Sequence, residues 1–190
     1  MQTTGQGHVR IIAGTLRGSK LPVADRDGLR PTADRTRETL FNWLAMKLAG
    51  RKVLDVFAGS GALGFEAASR GAAEVVLLER DAIAAASLRT SQERLKVDGM
   101  RIIQTDALAW LAANAEERFD GVFLDPPFAS ALWPQLWPLL LPVLADGAWV
   151  YVETATNSEI ELPPGLHPEK IGKSRHSKYL LAQWHKPSIG

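Results

Sequence analysis

The stretch KVLDVFAGSGALGFEAASRG, residues 52–71, decides the fold. Its first part, Lys52 to Phe57, is an apolar run that predicts a buried strand. Gly59, Gly61 and Gly64 follow in the spacing G-x-G-x-x-G, where a glycine backbone can turn sharply and approach a ligand closely. The segment GALGFEAASRG then predicts a helix closed by Gly71. A strand that ends in a glycine turn and feeds a helix is the opening unit of an alternating α/β chain.

Working outward, the alternation holds. EVVLLE (74–79), MRIIQT (100–105), FDGVFLD (119–125) and GAWVYVE (147–153) read as strands. DAIAAASLRTSQERLKV (81–97) and DALAWLAANA (106–115) read as helices. Together with the first strand this predicts a parallel sheet covered on both faces. The segment ALWPQLWPLLLPVLA (131–145) carries Pro134, Pro138 and Pro142. A proline inside a helix costs roughly 3 kcal/mol, which predicts a kink or break at Pro138. The tail HPEKIGKSRHSKYLLAQW (167–184) fits two antiparallel strands added at one edge. Ahead of the repeat, VRIIAGTLRGSKLPV (9–23) predicts a strand pair, and RPTADRTRETLFNWLAMKL (30–48) a helix. Pro31-Thr32 marks that helix start, Leu40, Phe41, Leu44 and Leu48 repeat at helical spacing, and Arg35 and Glu38 occupy the other face. The organisation expected is a basic N-terminal extension, residues 1–50, packed on a domain of residues 51–190.

Composition narrows the function. At 190 residues and 46% hydrophobic content the chain has enough apolar material for one core. The longest apolar stretch, Leu132 to Leu144, is interrupted by prolines and falls short of the roughly 20 residues of a membrane span. The N-terminus MQTTGQGHVR has no basic-then-apolar signal pattern. There is no cysteine, which excludes disulfides, zinc–thiolate sites and thiol nucleophiles, and no metal is expected. A cytoplasmic monomer is the default. The net charge of +1 conceals an asymmetry: residues 1–52 hold ten Lys/Arg against four acids, residues 53–153 seven against fourteen. A basic front on an acidic body points to a polyanionic partner, unless it is an ordinary solvated surface.

In open α/β sheets ligands sit beyond the carboxyl ends of the strands. The first strand ends at Asp55, four residues before Gly59, which suits a cationic ligand better than a pyrophosphate. A plain tight turn is the structural alternative. The second ends at Glu79, an acid able to accept both hydroxyls of a ribose, although Asp81 could equally be the first-turn acid. The third ends at Asp106, either a partner for an adenine amine or the cap of the next helix. The fourth ends in Asp125-Pro126-Pro127-Phe128. Two prolines stop a strand and stiffen the turn. Asp125 and the Pro126 carbonyl then make two pre-positioned acceptors for an exocyclic amine, and Phe128 offers a face for a flat base, a stack worth about 1–3 kcal/mol. With a reference pKa of about 3.9, Asp125 is too weak a base to deprotonate the amine first. Its role is orientation and charge stabilisation. A cationic adenosine compound such as S-adenosylmethionine and an amine-bearing base fit these strand ends.

Taken with RIIAGTLRG, RPTADRTRETLFNWL, VLDVFAGSGALGFEAASRGA and DPPF, in that order, the chain resembles the class I S-adenosylmethionine-dependent methyltransferases of exocyclic amines. More narrowly, it resembles the bacterial 16S ribosomal RNA guanine-N2 methyltransferases of the RsmD family. The resemblance implies a Rossmann-like, mainly parallel seven-stranded sheet with the last strand antiparallel, helices on both faces and a small N-terminal extension. It implies that Thr32, Asp55, Phe57, Gly59, Gly61, Glu79, Arg80, Asp106 and Ala107 line the cofactor. It implies that Asp125, Pro126, Pro127 and Phe128 hold the target guanine. Arg10, Arg17, Lys20 and Arg35 would meet RNA phosphates of 16S rRNA or the 30S subunit, with Lys173, Arg175 and Lys178 as further candidates. Three alternatives stand beside it. Methylation of DNA adenine or cytosine, or of protein glutamine, keeps the chemistry. A nicotinamide dehydrogenase using GSGALG leaves DPPF unexplained. A non-catalytic RNA-binding assembly factor leaves the strand-end residues idle.

Overall fold

A computed structural model of the chain describes residues 7–23, 34–127 and 132–187. Two short strands, β1 (His8–Arg10) and β2 (Lys20–Pro22), pair antiparallel with Val9 opposite Leu21. Helix α1 (Asp34–Trp43) follows. The α/β body comprises β3 (Lys52–Asp55), α2 (Ala62–Ser69), β4 (Glu74–Glu79), α3 (Ala82–Leu95), β5 (Met100–Gln104), α4 (Ala107–Ala113), β6 (Phe119–Leu124), α5 (Trp133–Leu140), β7 (Leu144–Ala155), β8 (Leu166–Lys173) and β9 (Ser177–Trp184).

The seven strands of the main sheet lie in the order β5-β4-β3-β6-β7-β9-β8. The first five of that order are parallel neighbours, and β9 is antiparallel to both β7 and β8. This is the mainly parallel sheet with an antiparallel last strand that the motifs imply. The tail forms the two antiparallel strands expected at one edge. Of the two tail strands only β9 runs against the sheet; β8, beyond it at the edge, runs with β7. A hairpin inserted with its second strand innermost has this outcome.

Each sheet face carries its own core. Phe41 of α1 meets Phe123 of β6, ring centroids 5.8 Å apart, on the face that also buries Leu40, Leu44, Phe65, Trp149 and Tyr151. The other face packs Val122 and Val150 with Trp110, Leu136 and Trp137 of α4 and α5. All four apolar repeats expected of α1 and its extension, Leu40, Phe41, Leu44 and Leu48, are at most 1% exposed.

The helix does not break at Pro138. Helix α5 runs through Pro138 and passes into a 3-10 turn at Leu141–Val143, with Pro134 in its first turn. Pro134, Pro138 and Pro142 fall at i, i+4, i+8 and all three are exposed. The carbonyl left without a donor therefore faces water instead of the core, and the cost of the missing N–H is small. The opposite side buries Trp133, Leu136, Trp137 and Leu140, with Trp133 and Trp137 stacked at 5.3 Å.

Candidate active site

The chain leaves β3 to build β4 and β5 on one side of it, then returns to place β6 on the other. The crevice between β3 and β6 is the switch point of the sheet, where open α/β folds bind ligands. Asp55 pairs in register with Phe123, so Asp55 and Asp125 stand on either side of that crevice.

Asp55 is 1% exposed. Its Oδ2 accepts from the Gly64 N–H at 3.1 Å, while Oδ1, also buried, has no hydrogen-bond partner. Burial, reinforced by the charge of Glu79 and opposed by the Gly64 N–H, pushes the carboxyl up to about 7. An orphaned carboxylate oxygen in a dry pocket suits a cation or a hydroxyl donor. Gly61 has φ +77°, and a Cβ there would lie 2.6 Å from the Leu88 side chain and 2.8 Å from Phe65. The glycine turn therefore stays bare and close-packed because a side chain has nowhere to go. Gly59 also lies at positive φ. At Gly64 a Cβ would press on Leu77 at 2.9 Å, so this glycine lets α2 approach β4.

Glu79 is 8% exposed and spends one acceptor site of each oxygen on backbone: Gly59 N–H to Oε2 at 2.9 Å and Asp81 N–H to Oε1 at 2.7 Å. It braces the glycine turn and keeps a second lone pair on each oxygen for a ligand. Asp81 instead caps α3, accepting from Ile83 and Ala84 at 3.0 and 2.8 Å. Asp106 caps α4 through the Ala109 N–H at 3.0 Å, so the capping reading holds there. Arg80 and Asp106 are exposed; Phe57 and Ala107 are half-buried. Asp125 is half-buried, Pro126 buried and Pro127 exposed. Thr32 and Phe128 lie outside the described residues.

The basic candidates Arg10, Arg17, Lys20, Arg35, Lys173, Arg175 and Lys178 are all exposed, and none forms an ion pair with a described residue.

Several residues that organise the site are absent from the sequence reading. Glu66, fully buried in α2, accepts from Ile12 N–H at 2.8 Å, Ala13 N–H at 3.1 Å and Arg70 Nε at 2.7 Å. Ser69 Oγ accepts from Leu16 N–H at 2.9 Å, and its carbonyl from Thr15 N–H at 2.8 Å. These bonds dock the β1–β2 segment onto the helix that follows the glycine turn. Arg37 is fully buried and donates through Nη2 to the Arg10 carbonyl at 2.6 Å and to Asp34 at 2.9 Å. Burial draws its guanidinium below the usual arginine range. The signal for Glu66 was a lone acid in the otherwise apolar run GALGFEAA. Two residues before the end of β7, just past the last β6–β7 pair, Glu153 adds a further acid to those at the strand ends. It is 6% exposed, and Tyr151 OH donates to its Oε2 at 2.7 Å.

The family model described as conserved hypothetical protein 95, which corresponds to the RsmD family, matches residues 9–182. The chain belongs to this family. Ribosomal RNA small subunit methyltransferase D of Escherichia coli is 44% identical over 173 residues, covering 88% of this chain and 87% of its own length. The solved structure of the Escherichia coli protein yhhF has a TM-score of 0.86 and 38% identity, covering 95% of this chain and all of that one. At the level of fold alone, a Thermus thermophilus 16S rRNA N2 G1207 methyltransferase, RsmC, in complex with AdoMet and guanosine, superposes with a TM-score of 0.70. It is 22% identical and covers 95% of this chain and 50% of that one.

Proposed function

We propose that the chain transfers the methyl group of S-adenosylmethionine to the exocyclic N2 amine of a guanine in 16S ribosomal RNA. It is an S-adenosylmethionine-dependent methyltransferase of ribosomal RNA. The observation that carries the site assignment is the pair of carboxylates across the switch point, Asp55 on β3 and Asp125 after β6. The first suits a cationic cofactor and the second an amine.

The residues present fit the cofactor. Asp55 Oδ1 is a buried acceptor with no donor, and the positive-φ turn at Gly59 and Gly61 presents backbone, with no side chain, beyond the end of β3. Asp55, Phe57, Gly59 and Gly61 would line its methionine and ribose side together with Thr32. Glu79 would take the ribose hydroxyls, Arg80 would flank the adenine, and Asp106 and Ala107 would meet its edge. When bound, S-adenosylmethionine supplies a methyl group on a sulfonium that departs as a neutral thioether.

The chain's own residues prepare the acceptor. Asp125 and the Pro126 carbonyl accept the two N–H groups of the amine, favouring a tetrahedral nitrogen with its lone pair toward the methyl carbon. Positive charge developing on that nitrogen would lie beside the Asp125 carboxylate. The proton then leaves for that carboxylate or for water. Phe128 would stack on the base. The extension of residues 1–50, with Arg10, Arg17, Lys20 and Arg35, would meet phosphates, and Lys173, Arg175 and Lys178 of the β8–β9 hairpin would extend that surface. A substrate in the small subunit would put the protein in the cytoplasm.

The deciding experiment supplies methyl-labelled S-adenosylmethionine with 30S subunits from cells lacking the enzyme, protein-free 16S RNA, duplex DNA and a protein fraction. Label on N2 of a guanosine in the subunit or its RNA is expected. Label confined to DNA or protein would discard the substrate, and binding without transfer to any acceptor would point to a non-catalytic factor.

A further inference from the structure

We infer that Glu153 reads the N1–H of the target guanine beside Asp125 and so selects guanine over bases that present an acceptor at that place. The inference rests on the guanine-N2 reading of the site.

Placement comes first. The parallel pairing of β6 with β7 ends at Phe123↔Tyr151 and Leu124↔Val152. The next residue on β7 is Glu153, level with Asp125. Side chains alternate along a strand, so Glu153 returns to the face of Tyr151. Tyr151 meets Phe123 edge-on there, with ring centroids 6.3 Å apart. Asp125 follows Phe123 by two residues. The negative charges of Glu153 and Asp125 both add to burial, the largest cause, in pushing the Tyr151 phenol well above its usual value. Both carboxylates therefore lie within electrostatic reach of one hydroxyl.

Satisfaction comes second. Glu153 is 6% exposed; among the described residues it accepts only the Tyr151 hydroxyl, through Oε2, and makes no ion pair. Its Oε1 takes no hydrogen bond from a described residue. Oε1 is not fully buried, so a donor from a ligand can reach it and replace its residual contact with water. Tyr179, opposite Glu153 on β9, and Trp43, 5.6 Å from Tyr179, line the same side with aromatic rings.

The chemistry of the base closes the argument. An unstacked base is read on its Watson–Crick edge. In guanine the N2 amine sits next to N1–H, so two adjacent positions donate, one to Asp125 and one to Glu153. Adenine and cytosine carry a ring-nitrogen acceptor next to their amine. Its lone pair would face a carboxylate, which repels it.

The test replaces the target guanine of the RNA, once located, by 2-aminopurine, which keeps the N2 amine and lacks N1–H. Wild-type protein should favour guanine in kcat/KM by about tenfold or more. Glu153→Gln, which keeps the shape and removes the charge, should reduce that ratio several-fold, with S-adenosylhomocysteine affinity unchanged by calorimetry. A Glu153 that merely anchors Tyr151 would lower both rates together and leave the ratio intact, which overturns the inference. Equal rates of wild-type protein on the two bases would overturn it without any variant. Absence of label on guanine N2 in wild-type reactions is a different outcome; it removes the substrate reading and this inference with it.

Discussion

The buried carboxylate of Glu66 accepts the Ile12 backbone N–H at 2.8 Å, across 54 residues of sequence. Through this bond and its neighbour to Ala13, the basic front of the chain hangs on the helix that begins at the glycine turn. The orientation of Arg10 and Arg17 relative to the strand ends is set here.

Glu66→Ala should therefore cost about 2–4 kcal/mol, because it removes the buried acceptor shared by the partly buried Arg70 and two backbone donors. Urea unfolding would measure the loss. Amide exchange should show residues 8–22 opening before the sheet; unchanged protection there would refute the docking role.

Asp55 makes both stability and ligand affinity pH-dependent. Its carboxyl titrates at about 7 in the folded chain, raised by burial. In the unfolded chain it titrates at about 3.9. Between those values the folded state holds a proton that the unfolded state has lost, so this group's contribution to stability falls as pH rises and levels off above about 7. A cationic ligand favours the charged carboxylate, so S-adenosylmethionine should bind more tightly as pH rises through that range and release a proton on binding. Thermal unfolding and calorimetry in buffers of different ionisation enthalpy would record both trends. Asp55→Asn should flatten them.

Asp125→Ala should lower kcat by about a hundredfold or more, the scale of removing one group that stabilises developing charge. S-adenosylhomocysteine affinity should barely change, since Asp125 lies on the β6 side of the crevice. Single-turnover transfer and calorimetry separate the two effects, and full activity in the variant would take Asp125 out of the mechanism.

Replacing Arg10 and Arg17 together by Gln should weaken RNA binding at all sequences. The log–log salt slope should fall by about 1.5, the value for two phosphate contacts. Neither side chain has an ion pair with a described residue to lose, so folding stability should hold. An unchanged slope would move the RNA contact elsewhere.

Much of this was legible in one dimension. The strand-turn-helix of residues 52–71 and the apolar alternation after it follow from side-chain periodicity, a local property. The strand-end positions of Asp55, Glu79, Asp106 and Asp125 follow from those strands. The same rule extends to Glu153 at the end of GAWVYVE, but that strand end was not read for function. The capping role of Asp106 could be weighed but not decided from sequence, because a cap and a ligand contact use the same residue type.

By itself the sequence determined which residues form strands and helices, where the glycines must bend the chain, and that carboxylates end the strands. Tertiary structure alone decided that β6 lands beside β3, which brings Asp55 and Asp125 to one crevice. It also decided that Asp55 loses its solvent and titrates near neutrality, and that Glu66 receives a hairpin from 54 positions upstream. It decided that Pro138 sits on an exposed helix face, where its missing donor costs little. These are consequences of long-range pairing and desolvation, and no window of neighbouring residues contains them.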